Sequence, residues 1–381
     1  MSGPAPITEM RVRTLAVPLD RPVVMACGEL TARMTVLVEL ETADGLVGVG
    51  ESWVNHPHWA PAERQATLAE GIAPLVVGED SAAIAALHAK LAAALSGPVR
   101  QWGGQAPYMQ ALSGVDIALW DLLGKRLGVG VSALIGGRGR DRVPAYASGL
   151  GPEDVAATAA RCVEDGWTAL KLRVGFDPAT DRDNLAAARR ALGGDGRLFA
   201  DANQGWNPPQ ARAMAAALAD AGVAWVEEPI TGGDPADLHA FAAETGQLVA
   251  LGENLTGSDA FLPYLASPGR FLLQPDLTKT GGFTHAWAVC QLAGSAGAAV
   301  APHFYGGAIG WAATVQLAAA CPAVTLLEYD VRPNPLRDSL LCDPPAVAGG
   351  MVDVPAGPGL GVTLDWERVE DCTVECRGRK L

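Results

Sequence analysis

Residues 198–254 read LFADANQGWNPPQARAMAAALADAGVAWVEEPITGGDPADLHAFAAETGQLVALGEN, and three apolar runs within them, LFAD, VAWVE and VALGE, close on Asp201, Glu227 and Glu253 at intervals of 26 residues. Twenty-six residues is the length of one strand-plus-helix unit. The pattern therefore reads as three carboxylates carried at the ends of three successive parallel strands. Between the first two runs, PQARAMAAALADAG has the Ala, Leu and Met content of an amphipathic helix closed by Gly.

The fan continues in both directions. Upstream, TALKLRVG carries Lys171 thirty residues before Asp201, with Arg173 two residues on. Downstream, FLLQPD ends on Asp276, AAVAPHF carries His303 and AVTLLEYD carries Glu328, at steps of 23, 27 and 25 residues. A first strand around VPAYASG (143–149) brings the count to eight, which closes a (β/α)8 TIM barrel of the α/β class. In that architecture the active site lies at the C-terminal ends of the strands, so the charged residues occupy one rim. Taken singly, an Asp or Glu after a strand is more often a helix cap or a solvated loop residue. Six polar residues in a row at one topological position are not explained that way. Inward-facing carboxylates repel one another and are costly to bury unpaired, and a cation resolves the conflict. Three carboxylates with no Cys or His among them favour a hard, oxygen-seeking ion, Mg2+ ahead of Zn2+.

The ordered set KLR (171–173), DANQGW (201–206), WVEEP (225–229), GEN (252–254), QPDLTKTGG (274–282) and PH (302–303) resembles the enolase superfamily, in particular its mandelate racemase-like branch. GVDIALWDLLGK (114–125) and PAGPGLGVTL (355–364) extend the resemblance over nearly the whole chain. The resemblance implies a Mg2+ held by Asp201, Glu227 and Glu253, Glu227 being the first glutamate of WVEEP. It also implies removal of the proton α to a substrate carboxylate. That proton is too weakly acidic for a side-chain base alone, so the resulting enediolate needs preorganised positive charge, from the ion and from Lys171. Glu328, if protonated, would donate a hydrogen bond to the same carboxylate.

His303 is the candidate base or acid, and Asp276, on the preceding strand, is placed to hold one imidazole nitrogen. The family's muconate lactonizing branch has a lysine where Asp276 stands, so the chain sides with the His/Asp pair. Lys279 lies three residues on and reads as a loop residue. Many relatives carry Lys-x-Lys at the second strand, with the second lysine as a base opposite the histidine; here Arg173 takes that place. Arginine holds its proton and is a poor base, which counts against racemisation. Dehydration needs one acid/base on one face, so the expected reaction is loss of water from an acid sugar to give a 2-keto-3-deoxy acid. Cycloisomerisation of a sugar-acid lactone, or epimerisation of a 2-substituted acid, is the alternative. Arg173 would bind a substrate carboxylate or hydroxyl, or pair with a rim carboxylate. EYDVRPNPLRDSLL (328–341) is similar to the sugar-acid members of the family, galactarolactone cycloisomerase-like ones included.

The residues ahead of the barrel differ in texture. RVRTLAVPL and ARMTVLVELETADGLVGVGES predict antiparallel strands with a turn at ADG, and helical stretches follow at 61–78 and 80–95. The resemblance makes this an α+β capping domain over 1–135, followed by a barrel over 136–345 and a segment over 346–381 that packs back on the cap. Two capping loops are expected near 20–30 and 53–59. The second, WVNHPHW, offers Trp53 and His56, which join Asn203 as candidate substrate-binding residues.

A chain of 381 residues with 49 % apolar content can bury a large core. A net charge of −14 with scattered Lys and Arg argues against nucleic acid or an anionic membrane as partner. The start lacks the apolar core of a signal peptide and no run is long enough to span a bilayer, so a cytoplasmic location is expected. Seven cysteines show no metal-type spacing and are expected to be reduced. A class II aldolase or amidohydrolase would want histidines at several strand ends, and only His303 is there. A non-catalytic binding barrel would leave the rim set without purpose. The expected partner is a small-molecule carboxylate, and the resemblance adds the expectation of a homo-oligomer.

Overall fold

The computed structural model describes residues 5–25, 28–267 and 269–381. Strands β1 (Ile7–Met25), β2 (Gly28–Thr42) and β3 (Val47–Trp53) form an antiparallel meander, and the C-terminal strand Thr373–Lys380 adds to its outer edge, Arg13 lying opposite Cys376. The ADG turn joins β2 to β3, with Gly45 at φ 80°. Alternation along β2 decides what the sheet covers. Val36, Val38 and Leu40 pack against the helices Ile84–Trp102 and Gln105–Leu127, whereas Leu37 faces the barrel core. The helix Gln105–Leu127 lies directly on β3 because both sides offer glycine: a Cβ on Gly50 would collide with the backbone of Gly114. Chain 61–78 is helical as expected, from Ala60 to Val76 through a π-helical turn at Thr67–Ile72. The next helix starts later and runs further than 80–95, to Trp102, where left-handed Gly103 ends it. Of the first expected capping loop, residues 20–25 continue β1 and 28–30 begin β2, while 26 and 27 lie outside the described residues.

All eight expected barrel strands are present: β4 (Arg142–Leu150), β5 (Ala169–Arg173), β6 (Arg197–Asp201), β7 (Val223–Glu227), β8 (Val249–Leu251), β9 (Phe271–Leu273), β10 (Ala299–Val300) and β11 (Leu327–Asp330). They run parallel in sequence order. The ring closes where β11 pairs with β4 and Val300 bridges Val324 just ahead of β11. The strand-plus-helix repeat is uneven. After β8 the helix shrinks to Asp259–Phe261 and Leu262–Leu265, and after β11 to the single turn Pro335–Asp338.

Inside the barrel, Tyr146, Ala169, Phe199, Trp225, Ala250, Leu272, Ala301 and Leu326, one from each strand or its immediate flank, pack into a single apolar floor. Phe199 and Trp225 stack at its centre with ring centroids 3.5 Å apart. Successive side chains alternate between the two faces of a strand, so the next inward residue is two further along. Counting two from the floor gives Ser148, Lys171, Asp201, Glu227, Gly252, Gln274, His303 and Glu328. The apolar floor thus sets a polar ring directly above itself. Two residues higher come Arg173, Asn203, Tyr305 and Asp330, level with the capping domain.

Candidate active site

Lys171 occupies the middle of the polar ring. Its Nζ lies 2.8 Å from both Glu227 carboxylate oxygens, 2.7 Å from Glu328 Oε1 and 3.7 Å from Asp201 Oδ2. Burial opposes an ammonium, but these carboxylates outweigh it and hold Lys171 protonated well above the ordinary lysine range. Glu328, read from the sequence as a hydrogen-bond donor only if protonated, is held here as a carboxylate. Burial alone would raise its pKa, yet Lys171 and His303 hold it at about 2, helped by the Ser148 hydroxyl, which donates to Oε1 over 2.6 Å.

His303 sits between two acids. Its Nδ1 is 2.7 Å from Asp276 Oδ2 and its Nε2 is 3.2 Å from Glu253 Oε2. Asp276 caps the turn Leu277–Thr280, accepting at Oδ1 from the Thr278 backbone N–H and hydroxyl, which leaves Oδ2 for the imidazole. Burial pushes the imidazole towards neutrality, but Glu253, Glu328 and Asp276 together raise its pKa to about 9. The sequence-derived pairing of His303 with Asp276 is thus present in the geometry.

Asp201 and the fully buried Glu227 are both pushed up from the ordinary carboxylate range, first by burial and then by neighbouring carboxylates that Lys171 offsets only in part. Glu228, next to Glu227 but at φ 38°, turns into the cavity, where burial and Glu253 lift it to about 7. Among the described residues, no group of three or more His, Cys, Asp or Glu side chains is drawn together tightly enough to hold a metal ion. Lys171, Gln274 and His303 instead share the oxygens of Asp201, Glu227 and Glu253. The donor set itself fits a hard divalent cation. Asp201, Glu227, Glu228, Glu253, Asp276 and Glu328 bring six carboxyls to the rim against the fixed cations Lys171, Arg173 and Lys279, and the raised pKa values of Asp201 and Glu227 mark the excess.

A cavity of about 510 Å3 opens over the ring, bounded by Trp53, His56, Asn203, Arg173, Tyr305 and Lys279. All three expected substrate-binding residues therefore face it. Arg173 has no carboxylate within ion-pairing distance among the described residues; its Nη1 donates to the Val24 carbonyl over 3.3 Å and its guanidinium lies over the Tyr305 ring. Lys279, expected as a loop residue, lies in the one-turn helix Leu277–Thr280 and faces the cavity. It is 3 % exposed, donates to Asn254 Oδ1 over 2.9 Å and stands 4.5 Å from the Trp53 ring centroid. The signal for this was the Asp-x-Thr cap at 276–278, which coils the next turn back towards the rim. Ser148, Gln274, Asn254 and Tyr305 were also missed. The first two follow from counting two residues beyond the floor.

The capping domain is tied to this rim by buried polar contacts. Glu51 of β3 accepts from the Gly307 and Gly310 N–H groups, over 2.5 and 2.8 Å, at the start of the helix Ala308–Ala320. Asn55 donates to the Tyr305 carbonyl over 2.8 Å, and Arg33 pairs with Asp330 over 2.6 Å.

Residues 7–136 match the family described as mandelate racemase / muconate lactonizing enzyme, N-terminal domain, and residues 154–369 match the enolase C-terminal domain-like family. A D-galactarolactone cycloisomerase of Agrobacterium fabrum is 34 % identical over 377 residues, covering 94 % of this chain and 96 % of that protein. A D-gluconate dehydratase of Thermoproteus tenax is 31 % identical, covering 91 % of this chain and 72 % of that one. A racemase of Streptomyces coelicolor, solved with bound magnesium, is similar in structure with a TM-score of 0.87 at 28 % identity, covering 97 % of this chain and all of that chain.

Proposed function

The chain belongs to the enolase superfamily, and from that membership we propose that it removes the proton α to a carboxylate, most directly to dehydrate an acid sugar to a 2-keto-3-deoxy acid. The observation that carries this reading is the His303–Asp276 pair standing beside Lys171 and Glu328 on one rim, beneath a cavity of sugar-acid size.

Asp201, Glu227 and Glu253 would hold a Mg2+, which supplies positive charge beside the substrate carboxylate as negative charge develops there. Lys171 adds a second fixed positive charge at the same place. His303 Nε2 takes the α proton. Asp276 fixes the tautomer through Nδ1 and stabilises the imidazolium. The same imidazolium then gives its proton to the β hydroxyl as the C–O bond breaks, so water leaves and the enol becomes a 2-keto acid. Glu328 positions Lys171 and helps hold the proton on His303, rather than donating a hydrogen bond itself. Arg173 is no second base: burial works against its charge, but Tyr305, Asp330 and Asp201 raise its pKa above the ordinary arginine value. Asn203, Trp53 and His56 would contact substrate hydroxyls and the pocket wall.

Cycloisomerisation of a lactone uses the same base with a ring oxygen as leaving group, and the identity to the galactarolactone enzyme favours it as the second reading. Incubation with Mg2+ and a library of acid sugars and their lactones in D2O separates the two. A 2-keto acid formed from an open acid sugar with loss of water, trapped with semicarbazide, supports dehydration. A 2-keto acid formed from a lactone by ring opening with no loss of water assigns the cycloisomerase, and α-deuterium without either assigns an epimerase. Absence of all three would end the enediolate reading.

A further inference from the structure

Lys279 makes contacts that the proposed reaction leaves unused. It rides on the turn Leu277–Thr280, which Asp276 caps through Oδ1 while its Oδ2 faces His303, so one carboxylate sets both the lysine and the imidazole. Lys279 is buried on the cavity wall, and its Nζ donates to Asn254 Oδ1 over 2.9 Å. An ammonium can only donate and a carboxylate can only accept, so this bond fixes the sense of the Asn254 amide. Asn254 Nδ2 is thereby turned to the acids, donating to Glu228 Oε1 and Oε2 over 3.0 and 3.1 Å and to Glu253 Oε1 over 3.2 Å. Reversed, the amide would set its oxygen against two carboxylates and its NH2 against the ammonium. Glu228 is itself held at φ 38°, a costly backbone conformation for a residue with a side chain, and Gln204 Nε2 donates to its Oε2 over 2.9 Å.

The same ammonium meets the cap. Nζ stands 4.5 Å from the ring centroid of Trp53, the last residue of β3, and an indole face attracts a desolvated cation. Trp53 is fixed in turn by the buried Arg64 of the helix Ala60–Ala66, which donates through Nη1 to the Trp53 carbonyl over 2.7 Å and through Nη2 to Gln110 Oε1 over 2.6 Å. An unbroken series therefore runs from the cap through Trp53, Lys279 and Asn254 to Glu253, one of the three carboxylates assigned to the ion. Lys279 acts on a cation there in two opposed ways. As a charge it competes: burial pushes the Glu253 pKa up, but His303 and then Lys279 bring it down. As the donor to Asn254 it holds Glu253 in one orientation, and hydrogen-bonded partners of ligating carboxylates are worth about 10–100-fold in metal affinity. Asn254 stands between the two charges, which weakens the first effect and carries the second.

We infer that Lys279 is a positioning residue: through Asn254 it orients Glu253, and through Trp53 it couples that orientation to the capping domain. This rests on the reading above that Glu253 helps to hold Mg2+. The test is calorimetric titration of Mg2+ into the chelator-treated full chain, without substrate and at one pH. Lys279→Met is expected to weaken Mg2+ binding by about tenfold or more although it removes a competing positive charge, and Lys279→Arg to stay within about threefold of the native chain. Asn254→Leu is expected to weaken it as much, and the double variant no more than either single one. Trp53→Leu is expected to cost about threefold in the native background and almost nothing in the Lys279→Met background. Melting curves in chelator check each fold, and Lys279→Ala, whose vacated space opens into the cavity, replaces Lys279→Met if that variant does not fold. Unchanged affinity would make Lys279 a filler of the wall, tighter binding would make it only a competing charge, and additive losses would separate it from Asn254; each overturns the inference. A loss at Lys279 with none at Trp53 overturns the coupling to the cap. A native chain that binds Mg2+ without regard to Lys279 leaves the enediolate reading standing, whereas a native chain that binds no Mg2+ ends both.

Discussion

His303 carries opposite demands. To act as base it must be neutral, yet three carboxylates raise its pKa to about 9. A cation that takes up the charge of Glu253 removes one of those three influences, so binding of Mg2+ is expected to release protons. The sign follows from linkage. An ordinary histidine titrates near 6.5, so between about 6.5 and 9 the folded metal-free protein binds more protons than the unfolded chain. The stabilisation is complete below about 6.5 and is lost as pH rises through 9; the raised pKa values of Asp201 and Glu227 act in the same direction. Thermal melts in chelator are therefore predicted to fall in Tm from about pH 6.5 to about 9.5, and saturating Mg2+ to flatten that slope. A slope unaffected by Mg2+ would separate the ion from these carboxylates. At Lys171, exchange to Met removes the ammonium bonded to Glu227 and Glu328, and α-proton exchange is predicted to drop by roughly 100-fold or more. Retention of most of the exchange rate would mean that Lys171 only fills space.

Among the elements, the strand ends were readable because two periodicities coincide. The recurrence near 26 residues marks the units, and alternation within each strand lifts LFAD and VAWVE from floor to ring. Asp201, Glu227 and His303 were legible for that reason. Lys279 was not, because a residue in a one-turn helix after a short strand has no periodic neighbours to orient it. The contacts that close the cap were also out of reach: Glu51 to Gly307 and Arg33 to Asp330 join residues far apart in the chain, and nothing local distinguishes either acid from a solvated one. Glu51 makes a sharp case. It stands at the start of the helix Ala308–Ala320, shortly after His303 in the chain, and accepts from two backbone N–H groups there. Glu51→Ala leaves both donors buried and is predicted to cost about 2–4 kcal/mol in chemical denaturation. A loss under about 0.5 kcal/mol would contradict the assignment of Glu51 as the pin between cap and barrel.

At the scale of the whole molecule, an apolar floor, a polar ring and a cap divide the work. The floor is closed by stacked aromatics, the ring concentrates charge, and the cap brings Trp53 and His56 over it. No described helix is long and apolar enough to cross a membrane. Because the ring is charged beyond what its own cations offset, Mg2+ is predicted to stabilise the folded chain, by about 2.7 kcal/mol at a hundred times its Kd, and chelation to abolish turnover. Under the proposed function, His303 exchanges the proton α to a carboxylate. The most direct test is α-deuterium incorporation in D2O with Mg2+ and the acid sugar that binds most tightly, comparing the native chain with His303→Asn. Exchange is expected to fall by roughly 1000-fold or more while calorimetric Mg2+ affinity stays within a few-fold. Exchange that survives the substitution would place His303 outside the proton's path, and Mg2+ affinity lost with it would mean that His303 serves the metal site instead.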